Sequence, residues 1–355
     1  MNLLPQAITP VTAVNLPGSG DTSGAPLQQP WLVADIGGTN ARFGWVAAGS
    51  REVTLVRTLS VADHASPAQA ARTYLTQLTA ELGAALAVPR AAAFAVATAV
   101  GSDPIAFTNS GWSFSRAATQ AELGLDALLM LNDFEALALS LPRLGAAQVR
   151  AIPGSRLQTA GQPSSALAVI GPGTGLGVAG LLPTRHGWMA IPGEGGHATL
   201  AAGDDFEAAI LAAVRREHPH VSAERLLSGI GLPVLHTATA QVLGQSGPPL
   251  SAGAIVERAL DGSDATCSRA IDAFCALLGS FAGNVALTLG ARGGVYIGGG
   301  IVPRLGETFF ASRFRERFEA KGRFQSYLQA VPTLLITDTL AALGGATLAL
   351  EQHGR

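Results

Sequence analysis

The sequence predicts an α/β protein of two domains with a duplicated core. Three observations carry that expectation. Two apolar runs, 31–36 and 41–46, flank Gly37, Gly38, Thr39 and Asn40 and read as a hairpin with a glycine turn. The pattern returns at Ala166–Ile170 and Val178–Leu182, either side of the turn Gly171–Gly177. After each hairpin, short apolar runs alternate with helical periodicity, as expected of sheets covered by helices. The chain has 355 residues, 48% of them apolar, enough to bury two such units.

Residues 1–30 carry Pro5, Pro10, Pro17, Pro26 and Pro30 among Gly, Ser and Gln, and read as a flexible arm. The prolines exclude an N-terminal helix-turn-helix. The basic start and sustained apolar run of a signal peptide are missing. Glu52–Ser60 supplies a third strand, and Ser66-Pro67 opens a helix with Pro at its first position. Ala91–Val100 does not alternate, which predicts a strand buried on both faces. A short helix near Ala117–Leu123 leads to the strand Ala127–Leu131. That strand runs into Asn132-Asp133, and a helical pattern of Phe134, Leu137, Leu139 and Leu141 follows. Further on, helices are expected over Asp205–Glu217, Ala223–Ser228, Pro233–Leu243, Ala254–Leu260, Ala265–Gly290 and 307–320. Strands are expected at Gly294–Gly298 and Thr333–Thr337, and a last helix over 339–351. The expected division is a small α/β domain of residues 31–143 with 338–355, and a large one of 144–337.

Net charge is −2 with 14% charged residues, so there is no basic footprint for nucleic acid. No run of about 18 uncharged apolar residues suggests a membrane span. Cys267 and Cys275 are too few for a disulfide framework or a structural zinc site, and point to a reducing, cytoplasmic setting. The one lysine is Lys321, so neither glycine turn contains the lysine of a P-loop. Gly175 to Gly180 matches a dinucleotide fingerprint by letter, but no helix follows it.

The chemistry-bearing residues are few. Glycine turns bring backbone N–H groups together as an anion cradle, and two of them facing each other could grip a polyphosphate. Asp35, just before the first turn, is placed to hold Mg2+ through water, or simply to brace the turn. Asp133 sits where a strand meets a helix, the edge at which α/β folds bind ligands. It reads as a general base for a sugar hydroxyl or as a plain helix cap. As a base it would be kept ionised by the helix N-terminus. Glu194 and His197 share a glycine-rich loop, and Glu224 opens a helical pattern. Together they could bond vicinal hydroxyls, although a solvated charge, a core histidine and a first-turn acid are the ordinary readings of each.

Six motifs in order then resemble one family. They are Asp35 to Arg42, Leu131 to Phe134, Gly171 to Gly177, Pro192 to His197, Ser222 to Arg225 and Gly298 to Arg304. From about residue 31 to the C-terminus the chain is similar to bacterial glucokinase of the proteobacterial, non-ROK type. The resemblance implies the actin-like, ribonuclease H-like ATPase fold, with an interdomain cleft. It implies ATP-dependent phosphorylation of glucose at the 6-hydroxyl, with ATP and Mg2+ required and a homodimer as the assembly. Asp133 resembles the catalytic base, and Asn132, Asp133, Glu194, His197 and Glu224 the sugar-binding set. The stretch Ala34, Asp35, Ile36, Gly37, Gly38, Thr39 and Asn40 resembles the first phosphate loop. Gly173, Thr174 and Gly175 resemble the second, and Gly298, Gly299 and Gly300 the adenosine motif. Thr108-Asn109 with Trp112 resembles a sugar-side loop. The cysteine-rich zinc motif of the ROK relatives is missing, so no zinc is expected there.

Three other readings stay open at this level. One is a non-catalytic sugar sensor on the same fold, against which Asp133 and both phosphate turns speak. Another is an actin-like ATPase acting on proteins, against which the hydroxyl-binding cluster speaks. The third is a kinase for another hexose.

Overall fold

In each half of the chain three consecutive strands form an antiparallel meander, and parallel strands are then added beside the first of the three. The computed structural model describes residues 29–83, 86–98, 100–107, 111–155 and 165–354. Residues 1–28 of the expected arm and Thr108-Asn109 lie outside the described residues. The first half contains β1 (Trp31–Ile36), β2 (Asn40–Val46), β3 (Val53–Ser60), α1 (Pro67–Leu82) and β4 (Ala91–Val96). It continues through β5 (Ile105–Ala106), β6 (Ser113–Phe114), α2 (Arg116–Glu122), β7 (Ala127–Asn132) and α3 (Asp133–Ser140). Its main sheet has the order β3-β2-β1-β4-β7, with β4 and β7 parallel to β1. The second half opens with β8 (Val149–Ala151), β9 (Leu167–Pro172), β10 (Leu176–Thr184) and β11 (Gly187–Gly193). Four helices follow: α4 (Asp205–Val214), α5 (Leu232–Val242), α6 (Ala252–Leu260) and α7 (Ala265–Leu289). Then come β12 (Gly294–Ile297), α8 (Ile301–Leu305), α9 (Glu307–Phe310), α10 (Phe314–Glu319), α11 (Gln325–Gln329), β13 (Thr333–Ile336) and α12 (Ala341–His353). Its sheet repeats the order as β11-β10-β9-β12-β13, and β8 pairs antiparallel on the far edge. The duplicated core is therefore present in the strand order as well as in the turns.

Both faces of each sheet are covered, which explains strands without polar alternation. Along β1, Leu32, Ala34 and Ile36 face a core shared with α1, while Trp31 and Val33 face a second core. That second core lies between the sheets and contains α3, α12 and the Leu167 and Val169 side of β9. The opposite face of β9 packs on the helices of the second half. Helix α7 is long and apolar enough to cross a membrane, which the sequence reading missed. Yet 78% of its most apolar window is buried inside the fold, as suits a core helix. Its Gly279 and Gly283 let the backbone of α10 approach closely.

Several expected elements are corrected. β4 stops at Val96: the Ala97 N–H makes the last ladder bond, to the Ile36 carbonyl, and the Thr98 N–H then turns back onto the Val96 carbonyl. The second turn is tighter than Gly171–Gly177. Gly171 pairs with Gly177 inside the strands, leaving Gly173, Thr174 and Gly175 as the turn. Residues 223–228 are turns rather than a helix, since the Ala223 and Glu224 N–H groups donate to Ala198 and Gly196. The expected helix over 307–320 is broken into α9 and α10. The Ser312 hydroxyl bonds the Phe309 carbonyl and accepts from the Phe314 N–H, a local competitor to helix continuation.

Helix α12 returns the chain to the first sheet and crosses α3. A Cβ on Gly345 would lie 1.6 Å from the Ala136 carbonyl oxygen. Near its end, Glu351 is buried against Arg143 and Arg51 of the first half. The next residue, Gln352, holds both backbone groups of Trp188 on β11. Gly345→Ala is expected to cost about 3 kcal/mol or more, since overpacking at backbone distance cannot relax by a rotamer change. Gly344→Ala, with open space around it, should leave stability level or raise it by up to about 1 kcal/mol. Paired urea titrations check this, and equal midpoints for the two variants would contradict the crossing geometry.

Candidate active site

Helix α3 begins at the mouth of the cleft with a complete capping box. Asn132 is the N-cap: its Oδ1 accepts from the Phe134 N–H, and Glu135 reaches back to the Asn132 N–H. Asp133 is thus the first helical residue and not the cap that a lone Asp at this junction suggests. The Asn132 side-chain amide donates to the Thr98 carbonyl, tying α3 to the end of β4.

The parity of the strands decides what faces Asp133. Asp35 shares the phase of Trp31 and Val33, so its carboxylate points toward α3 and α12. Asp35, Asp133 and Gly298 to Gly300 line one cavity of about 430 Å³, together with Arg42, Phe134 and Asp338. Arg42 lies opposite Asp35 in the hairpin register and pairs with it at 3.1 Å. Burial nevertheless raises the Asp35 carboxyl above its ordinary range, outweighing that pair. Asp133 is pushed up to about 6, first by burial and further by the Asp35 charge, against the lowering effect of the Phe134 N–H. Loss of solvation therefore wins over the helix terminus: the shift is upward where the sequence suggested a lowering, although the group is still mostly ionised at neutral pH.

Phe134 connects this cavity to the second hairpin. Gly171 and Gly177 share the phase of Leu167 and Ala179, and so face the middle layer. Phe134 fills the space their side chains would take: a Cβ on Gly171 would lie 2.3 Å from its ring, and one on Gly177 2.1 Å. These outer glycines serve packing. Of the turn glycines, Gly173 has open space around it, whereas a Cβ on Gly175 would lie 2.5 Å from Glu224 Oε2. Gly173 and Thr174 line a second cavity of about 510 Å³, which meets the first at Gly300 and is walled by Leu232, Val256, Glu257, Ile301 and Arg304. Gly299 has φ +75°, and a Cβ there would strike the Pro172 carbonyl at 2.4 Å. A side chain at that position would separate the triple glycine from the hairpin.

Three residues of the expected hydroxyl-binding set, Glu194, His197 and Glu224, lie near the same hairpin. One Glu224 oxygen accepts from the Leu176 N–H at 2.8 Å, and the other lies 3.9 Å from His197 Nε2. The loop 196–198 is stitched to 223–224 by backbone bonds, which places His197 beside Glu224. His197 and Glu194 are exposed, so His197 is no core histidine. Glu194 shares the loop, but no side-chain bond joins it to the others among the described residues.

Three cavity residues escaped the sequence reading. Arg42 was legible as the cross-strand partner of Asp35 in a four-residue turn. Asp338 follows β13 as Asp133 follows β7, a signal hidden until the duplicated strand order is known. Phe134 looked like an ordinary apolar helix position.

The glucokinase family model matches residues 32–353. The chain belongs to the glucokinase family. It is 49% identical to a glucokinase of Aromatoleum aromaticum over 91% of this chain and 95% of that protein. It is 46% identical to one of Chromobacterium violaceum over 94% and 92%. A crystal structure of glucokinase from an Antarctic psychrotroph superposes with a TM-score of 0.83 at 38% identity, covering 91% of this chain and 99% of the other. As a member of the glucokinase family the chain is an enzyme of ATP-dependent glucose phosphorylation.

Gly177→Ala should dislodge Phe134 and with it the start of α3. Turnover is expected to fall about 10- to 100-fold, the scale of a misplaced reacting group, with a smaller change in the glucose KM. Phe134→Leu in that background should restore part of it. Steady-state kinetics with near-ultraviolet circular dichroism would show this, and unchanged kcat in a folded Gly177→Ala would break the link.

Proposed function

We propose that the cleft transfers the γ-phosphoryl of ATP to the 6-hydroxyl of D-glucose with Asp133 as general base, giving glucose 6-phosphate and ADP. The observation that carries this reading is the position of Asp133. It stands at the start of α3, in one cavity with Asp35 and the Gly298–Gly300 turn, and is braced on the second hairpin through Phe134. A base with a pKa near 6 is mostly ionised at neutral pH, yet close enough to it to accept a proton usefully.

In this mechanism Asn132, Glu194, His197 and Glu224 hold the sugar hydroxyls, and Glu224 is oriented by the Leu176 N–H. The 6-hydroxyl oxygen bonds to the γ-phosphorus as the bond to the β,γ-bridging oxygen breaks. Asp133 takes the hydroxyl proton. Backbone amides of 37–40 and 173–175 face the phosphates, and the nucleoside lies along Gly298–Gly300 between Val256 and Ile301. Positioning and electrostatics supply most of the acceleration. The donor set fits a divalent cation, because burial raises both Asp35 and Asp133, the Asp35 charge raises Asp133 further, and Arg42 is the cation lining the cavity. Asp35 would hold Mg2+ through water, and Mg2+ when bound offsets phosphate charge.

The working lobes in this proposal are residues 31–143 with 338–355, and residues 144–337, closing on sugar to exclude water. Packing of α12 on α3 supports the first grouping. The family resemblance supports a homodimer, and two buried free cysteines suit a reducing cytoplasm.

Asp133→Asn should lower kcat by about 10² to 10⁴, the range of a lost general base, while glucose still quenches the protein's tryptophan fluorescence. Near-normal turnover would remove the base assignment. In the unmodified enzyme the base must be deprotonated, so kcat/KM should be flat above pH 7 and fall as pH drops through about 6. An acid limb near pH 4 would place the controlling group elsewhere. A sugar panel with ADP release as the readout tests glucose against other hexoses.

A further inference from the structure

Away from the cleft, three side chains with metal-binding chemistry converge where α5 meets the start of α7. Ligand atoms of His236, Asp264 and Cys267 all lie within 4.8 Å of one another. His236 is only 8% exposed, and its Nε2 is buried without a hydrogen-bond partner. An imidazole nitrogen left unpaired in the interior is costly and calls for an occupant. Cys267 is fully buried. Asp264 is the N-cap of α7, and its Oδ1 accepts from the Thr266 and Cys267 N–H groups at 2.8 and 3.1 Å. Those bonds fix the plane of the carboxylate, as outer contacts commonly do for metal ligands. The neighbouring cation is Arg258, whose Nη1 lies 3.9 Å from Asp264 Oδ2. It balances the carboxylate without satisfying His236.

We propose that His236, Asp264 and Cys267 form a binding site for a zinc-like, borderline-soft divalent transition metal, with water as the remaining ligand. Nitrogen, oxygen and sulfur donors in one tetrahedral set select such an ion over Mg2+ or Ca2+. Binding exchanges the Cys267 S–H proton for the metal, the proton passes to solvent, and no electron is transferred. The ion staples α5 to α7 in the second half of the chain, apart from the cavities that hold Asp133 and the turn glycines. The spacing of Cys267 and Cys275 does not reveal the site, because only one of the two takes part.

Cobalt(II) titrated into the chelator-stripped full chain tests this, since thiolate–cobalt charge transfer absorbs in the near ultraviolet. The chain has only two thiols, so the band reports which one binds. The expected result is a stoichiometric band that Cys275→Ser retains and both Cys267→Ser and His236→Gln abolish. No band in the unmodified chain overturns the site. So does a band that survives in Cys267→Ser or, should that variant fail to fold, in His236→Gln.

Discussion

The seating of Phe134 on the second glycine hairpin is the contact on which the rest of the site depends. Asp133 precedes it and takes its position from it. The hairpin in turn carries the Gly173–Gly175 turn and, through the Leu176 N–H, Glu224. One aromatic ring thus spaces the candidate base, the turn proposed to face phosphate and the cluster proposed to bind hydroxyls. Strand parity makes this possible. Gly171 and Gly177 face the same layer on adjacent strands, and together they leave room for a ring.

Electrostatics builds on that packing. The cavity holds the carboxylates of Asp35, Asp133 and Asp338 and the guanidinium of Arg42. Burial raises Asp35 and Asp133, and the Asp35 charge makes Asp133 harder still to ionise. A site of this kind favours bound positive charge and gains a base whose affinity for protons is close to neutral pH. The low lysine content of the chain agrees with it, because the positive charge is not supplied by a lysine in either turn.

Much of the fold was legible because both sheets are buried on both faces. Unbroken apolar runs such as 91–96 and 167–170 announce strands, and glycine turns between them announce hairpins. The duplicated core followed from that grammar, while the strand order became visible only in the structure. What failed depended on distant partners. Residues 223–228 have helical periodicity, but the Ala223 and Glu224 amides are taken by a loop about 25 residues away. The helix expected over 307–320 gave way to a serine that bonds the backbone locally. In the site, Asp35, Asn132 and Asp133 could be found from their places at strand ends. Arg42 needed the hairpin register, and Asp338 needed the duplication. The raised pKa of Asp133 was not legible, because desolvation depends on the whole cavity and the helix terminus is only its nearest part.

Helix α12 bears on how the chain is made. The first sheet is synthesised early, yet its inner face is completed by Leu343, Ala346 and Leu350, near the end of the chain. Glu351 then closes the ion pairs with Arg143 and Arg51. On a ribosome the earliest strands therefore wait with this face only partly covered, by α3 and β9, until α12 has left the exit tunnel, by which time the second half can already be folded. Synthesis from N- to C-terminus makes the early lobe the later one to mature, and a chaperone that shields apolar strands would be needed most during that interval.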